Sequence, residues 1–169
     1  VFPALAAAAF AALRARSAAA AVLAFTACQV GLEWVLTWFL TGFPWLFAGY
    51  SQLHWPLAGW APVAGVLGVS LLTVLSGAAA WALWAERGRG VAVRALALAV
   101  LLAWLAGAGL ARVEWSMPDG EALEVALVQG VIPQAVKWRP EMRQPILDRY
   151  LELSDPHWDA DLLLWPEAA

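Results

Sequence analysis

Long apolar runs separated by short polar breaks occupy the first two-thirds of the chain. Three of these runs, at residues 17–40, 61–85 and 91–111, reach the roughly 20 residues that an α-helix needs to cross about 30 Å of hydrocarbon. The middle run contains no charged residue, and the third contains only Arg94, close to its start. We therefore predict three membrane-spanning helices, with residues 41–60 as the loop between the first two and residues 1–13 as a partial span.

The pattern changes after residue 113, where the apolar runs become short. Leu123–Gln129 is predicted to be a mostly buried strand that ends at Gly130, and Asp161–Trp165 is predicted to be a second strand. Between them, Arg139–Leu153 is predicted to be a helix with one apolar face, formed by Met142, Ile146, Tyr150 and Leu153. A strand, a helix and a strand in this order predict a right-handed βαβ unit whose parallel strands are buried under helices.

Composition and charge divide the chain in the same way. Hydrophobic residues make up 63% of the chain and charged residues 14%, whereas soluble domains contain about 25% charged residues. Residues 1–113 carry six basic and two acidic side chains, and residues 114–169 carry four basic and eleven acidic ones. The first part is therefore predicted to lie in lipid and the second in water. The acidic second part gives no support for binding to nucleic acids.

The arginines predict how the chain is oriented in the membrane. Lys and Arg remain mainly on the cytoplasmic side. Arg14 and Arg16 precede the first span, and Arg87 and Arg94 flank the turn between the second and third. This arrangement places the 41–60 loop and the part that follows the third span on the extracytoplasmic side.

A carboxylate at the end of the second predicted strand is the strongest catalytic candidate. In open α/β sheets the ligand lies beyond the carboxyl ends of the strands, and both Gln129-Gly130 and Pro166-Glu167 fall at such ends. Position alone leaves two interpretations of Glu167 open, a catalytic carboxylate or a solvated loop residue. No metal site or cofactor is predicted, because His54 and His157 have no ligand partners at metal spacing.

The 41–60 loop, which we call the aromatic loop, combines aromatic residues with glycine and small polar residues. Tryptophans around it fit an aromatic belt at the membrane interface, and they also fit a lipid-binding surface. Glu33 lies in the preceding span, where a charged group costs roughly 2.5 kcal/mol or more at mid-membrane. Two interpretations stay open, a structural carboxylate or one that faces a substrate cavity. Gln29, one helical turn earlier, predicts a shared polar seam.

Three motifs resemble one family when they are taken together. They are Thr41-Gly42-Phe43-Pro44-Trp45 with Gly49-Tyr50-Ser51-Gln52, then Gln129-Gly130-Val131-Ile132-Pro133-Gln134 with Lys137-Trp138, and finally Leu164-Trp165-Pro166-Glu167-Ala168. In this order and spacing they resemble the apolipoprotein N-acyltransferases. One departure is that Leu36-Thr37 stands where the family usually has Arg-Gly.

The resemblance implies a fold and a reaction. The fold would be a membrane α-helical bundle (residues 1–113) followed by the start of an extracytoplasmic α/β nitrilase-like domain with an α-β-β-α sandwich (residues 114–169). The enzyme would lie in the bacterial inner membrane as a monomer and use no cofactor. A Glu–Lys–Cys triad would move an acyl chain from a phospholipid donor, through a cysteine thioester, to the amine of a diacylated apolipoprotein acceptor.

The resemblance also assigns roles to single residues. Glu167 matches the triad glutamate and would act as the general base. Neither Lys137 nor Cys28 stands in the context of the triad lysine or cysteine, so the chain alone is expected to have no activity. Because Val1 is not an initiator methionine and two strands cannot close a sheet, the chain is expected to be a fragment that lacks both ends. Substrate lipid would contact Phe43, Pro44, Trp45 and Tyr50 in the aromatic loop, and also Trp115, for which an interfacial anchor is the alternative.

Two other functions remain open on the sequence. A membrane-anchored nitrilase or amidase that acts on a soluble amide would share the Trp165-Pro166-Glu167 motif but would not need the aromatic loop. A non-catalytic membrane scaffold with a degenerate domain would lack a lysine and a cysteine in the expected contexts downstream.

Overall fold

A computed structural model of the chain describes residues 2–87 and 90–166. These residues form two compact units, which divide between Ser116 and Met117. The first unit is helical, and the second contains a two-stranded sheet and helices. Each unit is described by itself below.

The part of the first unit that the structure describes contains four α-helices: α1 (Phe2–Ala12), α2 (Ala18–Val35), α3 (Ala61–Ala85) and α4 (Val91–Leu110). Within the described residues, three helical stretches are long and apolar enough to cross a membrane: Ala18–Val35, Pro56–Ala85 and Val91–Leu110. The predicted spans at 61–85 and 91–111 are therefore confirmed as helices. The helix α1 has 11 residues, which is too short to cross a bilayer.

The predicted span at residues 17–40 is too long. Helix α2 begins after Ser17, whose hydroxyl accepts a hydrogen bond from the Ala20 amide at 3.2 Å, and it ends at Val35. Near its end, the Thr37 hydroxyl donates to the carbonyl of Trp34 at 2.7 Å. Local hydrogen bonding of this kind competes with continuation of the helix.

The chain then turns back on itself through an unusual backbone. Leu40, Thr41 and Gly42 all have positive φ angles, of 50°, 75° and 84°. The Phe43 amide donates to the carbonyl of Leu36 at 2.7 Å and closes the turn. A Cβ atom on Gly42 would lie 2.5 Å from the Thr37 carbonyl oxygen, so only glycine fits there.

Small side chains bring α2, α3 and α4 together. A buried cluster is formed by Val22 of α2, Ala79 and Ala82 of α3, and Val93 of α4. A polar contact also joins α3 and α4, because the Trp104 indole donates to the Ser76 hydroxyl at 3.1 Å. Close packing of small residues with occasional interhelical hydrogen bonds is typical of membrane helices.

The second unit contains a parallel pair of strands, as predicted. Strand β1 (Val125–Leu127) pairs with β2 (Leu162–Leu164), with Val125 opposite Leu162. Both strands are shorter than the predicted 123–129 and 161–165. The Leu162 amide donates to the Glu124 carbonyl, and the Val128 amide donates to the Leu164 carbonyl, so the hydrogen-bonded ladder extends just beyond β1.

Between the strands lie a short helix α5 (Gln134–Lys137) and the longer helix α6 (Arg143–Ser154). The predicted start of the helix at Arg139 is wrong. Arg139 is extended (φ −77°, ψ 129°) because it precedes Pro140, which opens a 3₁₀ turn over Pro140–Met142. The predicted apolar face is confirmed, since Ile146 and Tyr150 are buried with Val128.

The prediction that the strand pair is buried under helices is wrong for one of its two faces. Ala126 and Leu163 are half-buried, and Leu163 packs against the α6 cluster. Val125, Leu127, Leu162 and Leu164 are exposed, and Leu127 reaches 75%. Successive side chains of a strand point to opposite faces, so one layer of helix covers only alternate residues.

Candidate functional site

The carboxyl ends of β1 and β2 lie at the same edge of the sheet, because the strands are parallel and Leu127 is opposite Leu164. Gln129 and Gly130 follow β1, and Trp165 and Pro166 follow β2. The structure therefore brings together the two strand ends at which the sequence places candidate residues. Glu167 itself lies outside the described residues.

A group of side chains that we call the strand-end cluster supports this edge. It consists of Tyr150, Ser154 and Trp165. The Trp165 indole donates to the Ser154 hydroxyl at 2.9 Å, and that hydroxyl donates to the Tyr150 carbonyl at 2.7 Å. The Tyr150 and Trp165 rings lie 5.3 Å apart. Ser154 is fully buried and Trp165 is half-buried, so helix α6 and the end of β2 are joined by a partly buried hydrogen bond.

The end of β1 rests on the same cluster. Gly130 is buried, and a Cβ atom at this position would lie 2.8 Å from the Tyr150 ring. Backbone and ring can approach this closely only because residue 130 has no side chain. Tyr150 therefore contacts both strand ends. Sequence reasoning identified Tyr150 as a core residue but did not identify Ser154, whose role depends on a contact with a residue eleven positions later.

Replacing Ser154 with alanine is expected to destabilise the second unit by about 1 kcal/mol, because the indole N–H of the half-buried Trp165 loses its acceptor. A double-mutant cycle with Trp165→Phe should give a coupling energy of about 1 kcal/mol. Hydrogen exchange of the α6 amides would measure both quantities. The control is Gln144→Ala, because Gln144 bonds Asp148 on the exposed face of α6. Additive effects of the two changes would contradict a direct hydrogen bond.

The predicted lipid-contacting residues lie on the surface of the first unit. Phe43, Pro44 and Trp45 are exposed, and Trp45 reaches 73%. Tyr50 is half-exposed and stacks on the buried ring of Phe47, with centroids 5.8 Å apart and planes 4° from parallel. These four residues belong to one loop, whose surface is therefore aromatic.

Trp115 follows the end of α4 and is half-exposed. Its indole donates to the carbonyl of Leu110, the last residue of α4, at 3.3 Å. This bond satisfies one of the free carbonyls at the end of the helix. The structure does not place Trp115 within the aromatic loop.

Two side chains from different helices hold the first half of the aromatic loop. A carboxylate oxygen of Glu33, on α2, accepts from the Ala48 amide at 3.0 Å. The hydroxyl of Ser70, on α3, accepts from the Gly49 amide at 2.8 Å. Glu33 is thus paired with the first residue of a 3₁₀ turn, Ala48–Gln52. Among the described residues it makes no hydrogen bond with Gln29, so the predicted polar seam is absent there.

The second half of the aromatic loop is fixed to α4. The Trp60 indole donates to the carbonyl of Ala103 at 2.9 Å. Gly59 packs directly against the backbone of Gly107, where a side chain on either residue would clash. Both halves of the loop are therefore tied to helices that have the length and composition of membrane spans.

The second unit also contains a basic groove that sequence reasoning missed. It has a volume of about 380 Å³ and lies between the segment Lys137–Pro140 and the start of α6 at Arg143. The Lys137 ammonium lies 5.9 Å from the centre of the Trp138 ring, which is exposed. The run Lys137-Trp138-Arg139, which places two cations beside a tryptophan in the acidic half of the sequence, could have indicated this groove.

No group of three or more metal-binding side chains occurs within residues 2–87 and 90–166. His54 and His157 lie in different units. Cys28 is half-buried in α2 as a free thiol.

The sequence of this chain is similar to those of known proteins. Residues 1–79 match the family model described as the apolipoprotein N-acyltransferase N-terminal domain. A protein named apolipoprotein N-acyltransferase from Shewanella oneidensis is 40% identical over 148 residues, which cover 88% of this chain and 28% of the relative. Proteins of the same name from Methylococcus capsulatus and Pseudomonas paraeruginosa are 43% identical over 151 residues and 47% identical over 148 residues.

The Methylococcus and Pseudomonas alignments cover 88% and 87% of this chain and 29% of each relative. The chain thus spans less than a third of the length of these relatives. An alignment of 148 residues is longer than the first unit, so the likeness extends into the second unit as well. Over these matched residues, the chain belongs to the apolipoprotein N-acyltransferase family.

Proposed function

We propose that the protein to which this chain belongs is an apolipoprotein N-acyltransferase. It transfers an acyl chain from a phospholipid to a cysteine, and then from the resulting thioester to the N-terminal amine of a diacylglyceryl-cysteine lipoprotein. The observation that carries this proposal is an identity of 40–47% to proteins of that name over 82–88% of the chain, including both units.

In this proposal the second unit is the start of a nitrilase-like domain on the periplasmic side of the bacterial inner membrane. Glu167 is the general base. A thiol with a pKa of about 8.5 is mostly protonated at neutral pH and needs a base to become a nucleophile. The carboxyl edge of the parallel pair, held by the strand-end cluster, supports a site at this position.

The lysine and the cysteine of the triad have no counterpart in this chain. The lysine would stabilise the oxyanion of the tetrahedral intermediate, and the cysteine would carry the acyl chain. The chain by itself is therefore proposed to be inactive.

The aromatic loop is proposed to contact the phospholipid donor through Phe43, Pro44, Trp45 and Tyr50. Trp115 is proposed as a further lipid contact. The exposure of these side chains supports the proposal, since indole and phenol rings bind at the boundary between headgroups and acyl chains. The positions of the arginines support an orientation with this loop outside the cytoplasm.

A chimera tests the proposed function. This chain would replace the segment with which it aligns in the Pseudomonas paraeruginosa relative, in cells depleted of their own enzyme. We expect lipoproteins with an acylated N-terminal amine, detected by mass spectrometry of their N-terminal peptides. Lipoproteins that stay diacylated, in the presence of a folded and membrane-inserted chimera, would contradict the proposal. Hydrolysis of a soluble amide without acyl transfer would favour an amidase.

A further inference from the structure

Glu33 is a buried ionisable side chain in the part of the first unit that the structure describes, and burial of its charged form is unfavourable in free energy. It is 3% exposed, and it lies in a helix that is apolar enough to cross a membrane. One carboxylate oxygen accepts from the Ala48 amide, while the other is buried and has no hydrogen-bond partner among the described residues. An ionisable residue at such a position is a candidate functional residue.

Ser70 makes a second hydrogen bond to the loop, next to the one made by Glu33. Ala48 and Gly49 are consecutive, and their amides bond to α2 and α3 respectively. Gly49 lies so close to α3 that a Cβ atom would be 2.5 Å from the Val66 carbonyl oxygen. The start of the Ala48–Gln52 turn is therefore held between two helices at fixed positions.

The position of this turn determines where Tyr50 lies. Phe47 precedes Ala48, is 4% exposed and stacks against the ring of Tyr50, a residue that is 51% exposed. The Tyr50 amide also donates to the Phe47 carbonyl at 3.1 Å. Movement of Ala48 would therefore displace the aromatic pair as one body.

We propose that Glu33 and Ser70 are positioning residues that hold Tyr50 and the exposed side of the aromatic loop in place to bind the phospholipid donor. This inference rests on the proposed function. Without the Glu33 carboxylate or the Ser70 hydroxyl, the first half of the loop would lose a hydrogen bond to its helix. The second half would stay on α4, because Trp60 and Gly59 hold it there. The expected consequence is weaker binding of the donor rather than unfolding of the helices.

The test uses the active chimera with purified phospholipid and a diacylated lipopeptide acceptor. Glu33→Leu removes the carboxylate that accepts a hydrogen bond from the Ala48 amide. It is expected to raise the KM for phospholipid about fivefold, which is the effect of one lost hydrogen bond. The kcat and the KM for the lipopeptide should stay within about twofold of the wild-type values. Glu33→Gln retains a side-chain oxygen and should restore the wild-type KM. The matched control is Gln29→Leu, one turn away on the same helix.

Hydrogen exchange tests whether the hydrogen bonds from Ala48 to Glu33 and from Gly49 to Ser70 hold the loop in place. In Glu33→Leu and Ser70→Ala, the peptide over residues 43–53 should exchange faster than in the wild type, whereas peptides from α3 should not. Faster exchange with an unchanged KM for phospholipid would overturn the proposal and leave Glu33 as a structural residue. An unchanged rate of exchange would also overturn it.

The two proposals fail in different ways. An unmutated chimera without acyl transfer contradicts the proposed function, whatever the Glu33 variants do in the exchange experiment. An active chimera in which Glu33→Leu and Gln29→Leu behave alike contradicts only the positioning role.

Discussion

Replacing Glu167 with glutamine is expected to reduce acyl transfer by the chimera about 10²–10⁴-fold, the range found for loss of a general base. Glutamine has nearly the same shape as glutamate but cannot accept the thiol proton. The thioester intermediate should therefore fail to form. Labelled phospholipid and separation of the acyl-enzyme on a gel would measure this step directly.

The control for this variant is Glu152→Gln. Glu152 is an exposed acidic residue on α6 that pairs with Arg149 at 3.1 Å, and its loss should leave the rate almost unchanged. Transfer at the wild-type rate by Glu167→Gln would show that another group acts as the base. The family membership of the chain would stand in that case.

Replacing Tyr150 with alanine is expected to unfold the second unit locally. Loss of a buried aromatic side chain costs about 3–5 kcal/mol. The buried apolar cluster of this unit consists of Val128, Ile146 and Tyr150, and small cores have little stability to spare. Tyr150 also contacts Gly130 and Trp165, so both strand ends should become mobile. Faster hydrogen exchange in α6 and loss of acyl transfer should appear together.

Trp158→Ala provides the matched comparison for Tyr150→Ala. It removes an aromatic side chain from the same unit, but Trp158 is 59% exposed. We expect little change in exchange and activity. An equally mild effect of Tyr150→Ala would mean that the described cluster does not stabilise this unit, and that the rest of the protein holds the strand ends in place.

Local sequence patterns were sufficient for most of the secondary structure. A long apolar run predicts a membrane helix because only a helix satisfies its own backbone in lipid, and the runs at 61–85 and 91–111 form α3 and α4. The spacing of Ile146 and Tyr150 predicted the buried face of α6, because it follows the helical repeat. Two apolar strands around one helix likewise predicted a parallel pair.

Some boundaries could not be read from hydrophobicity. Residues 36–40 are nearly all apolar, but α2 ends at Val35, because the Phe43 amide bonds the Leu36 carbonyl and the backbone of Leu40 is left-handed. The strand pair was predicted to be buried under helices, but an apolar run does not show how many layers of helix cover it. In the described residues, α6 covers one face.

The sequence by itself determined which segments are helices and strands, the family motifs and the identity of Glu167 as the candidate base. The tertiary structure decided which partners the polar residues have. Glu33 bonds Ala48, fifteen residues away, and Trp165 bonds Ser154. The physical reason is that periodicity reports only the face on which a side chain lies. The partner it meets there depends on how separate segments pack, and that is fixed by contacts such as those of Gly49 and Gly59 with the neighbouring helices.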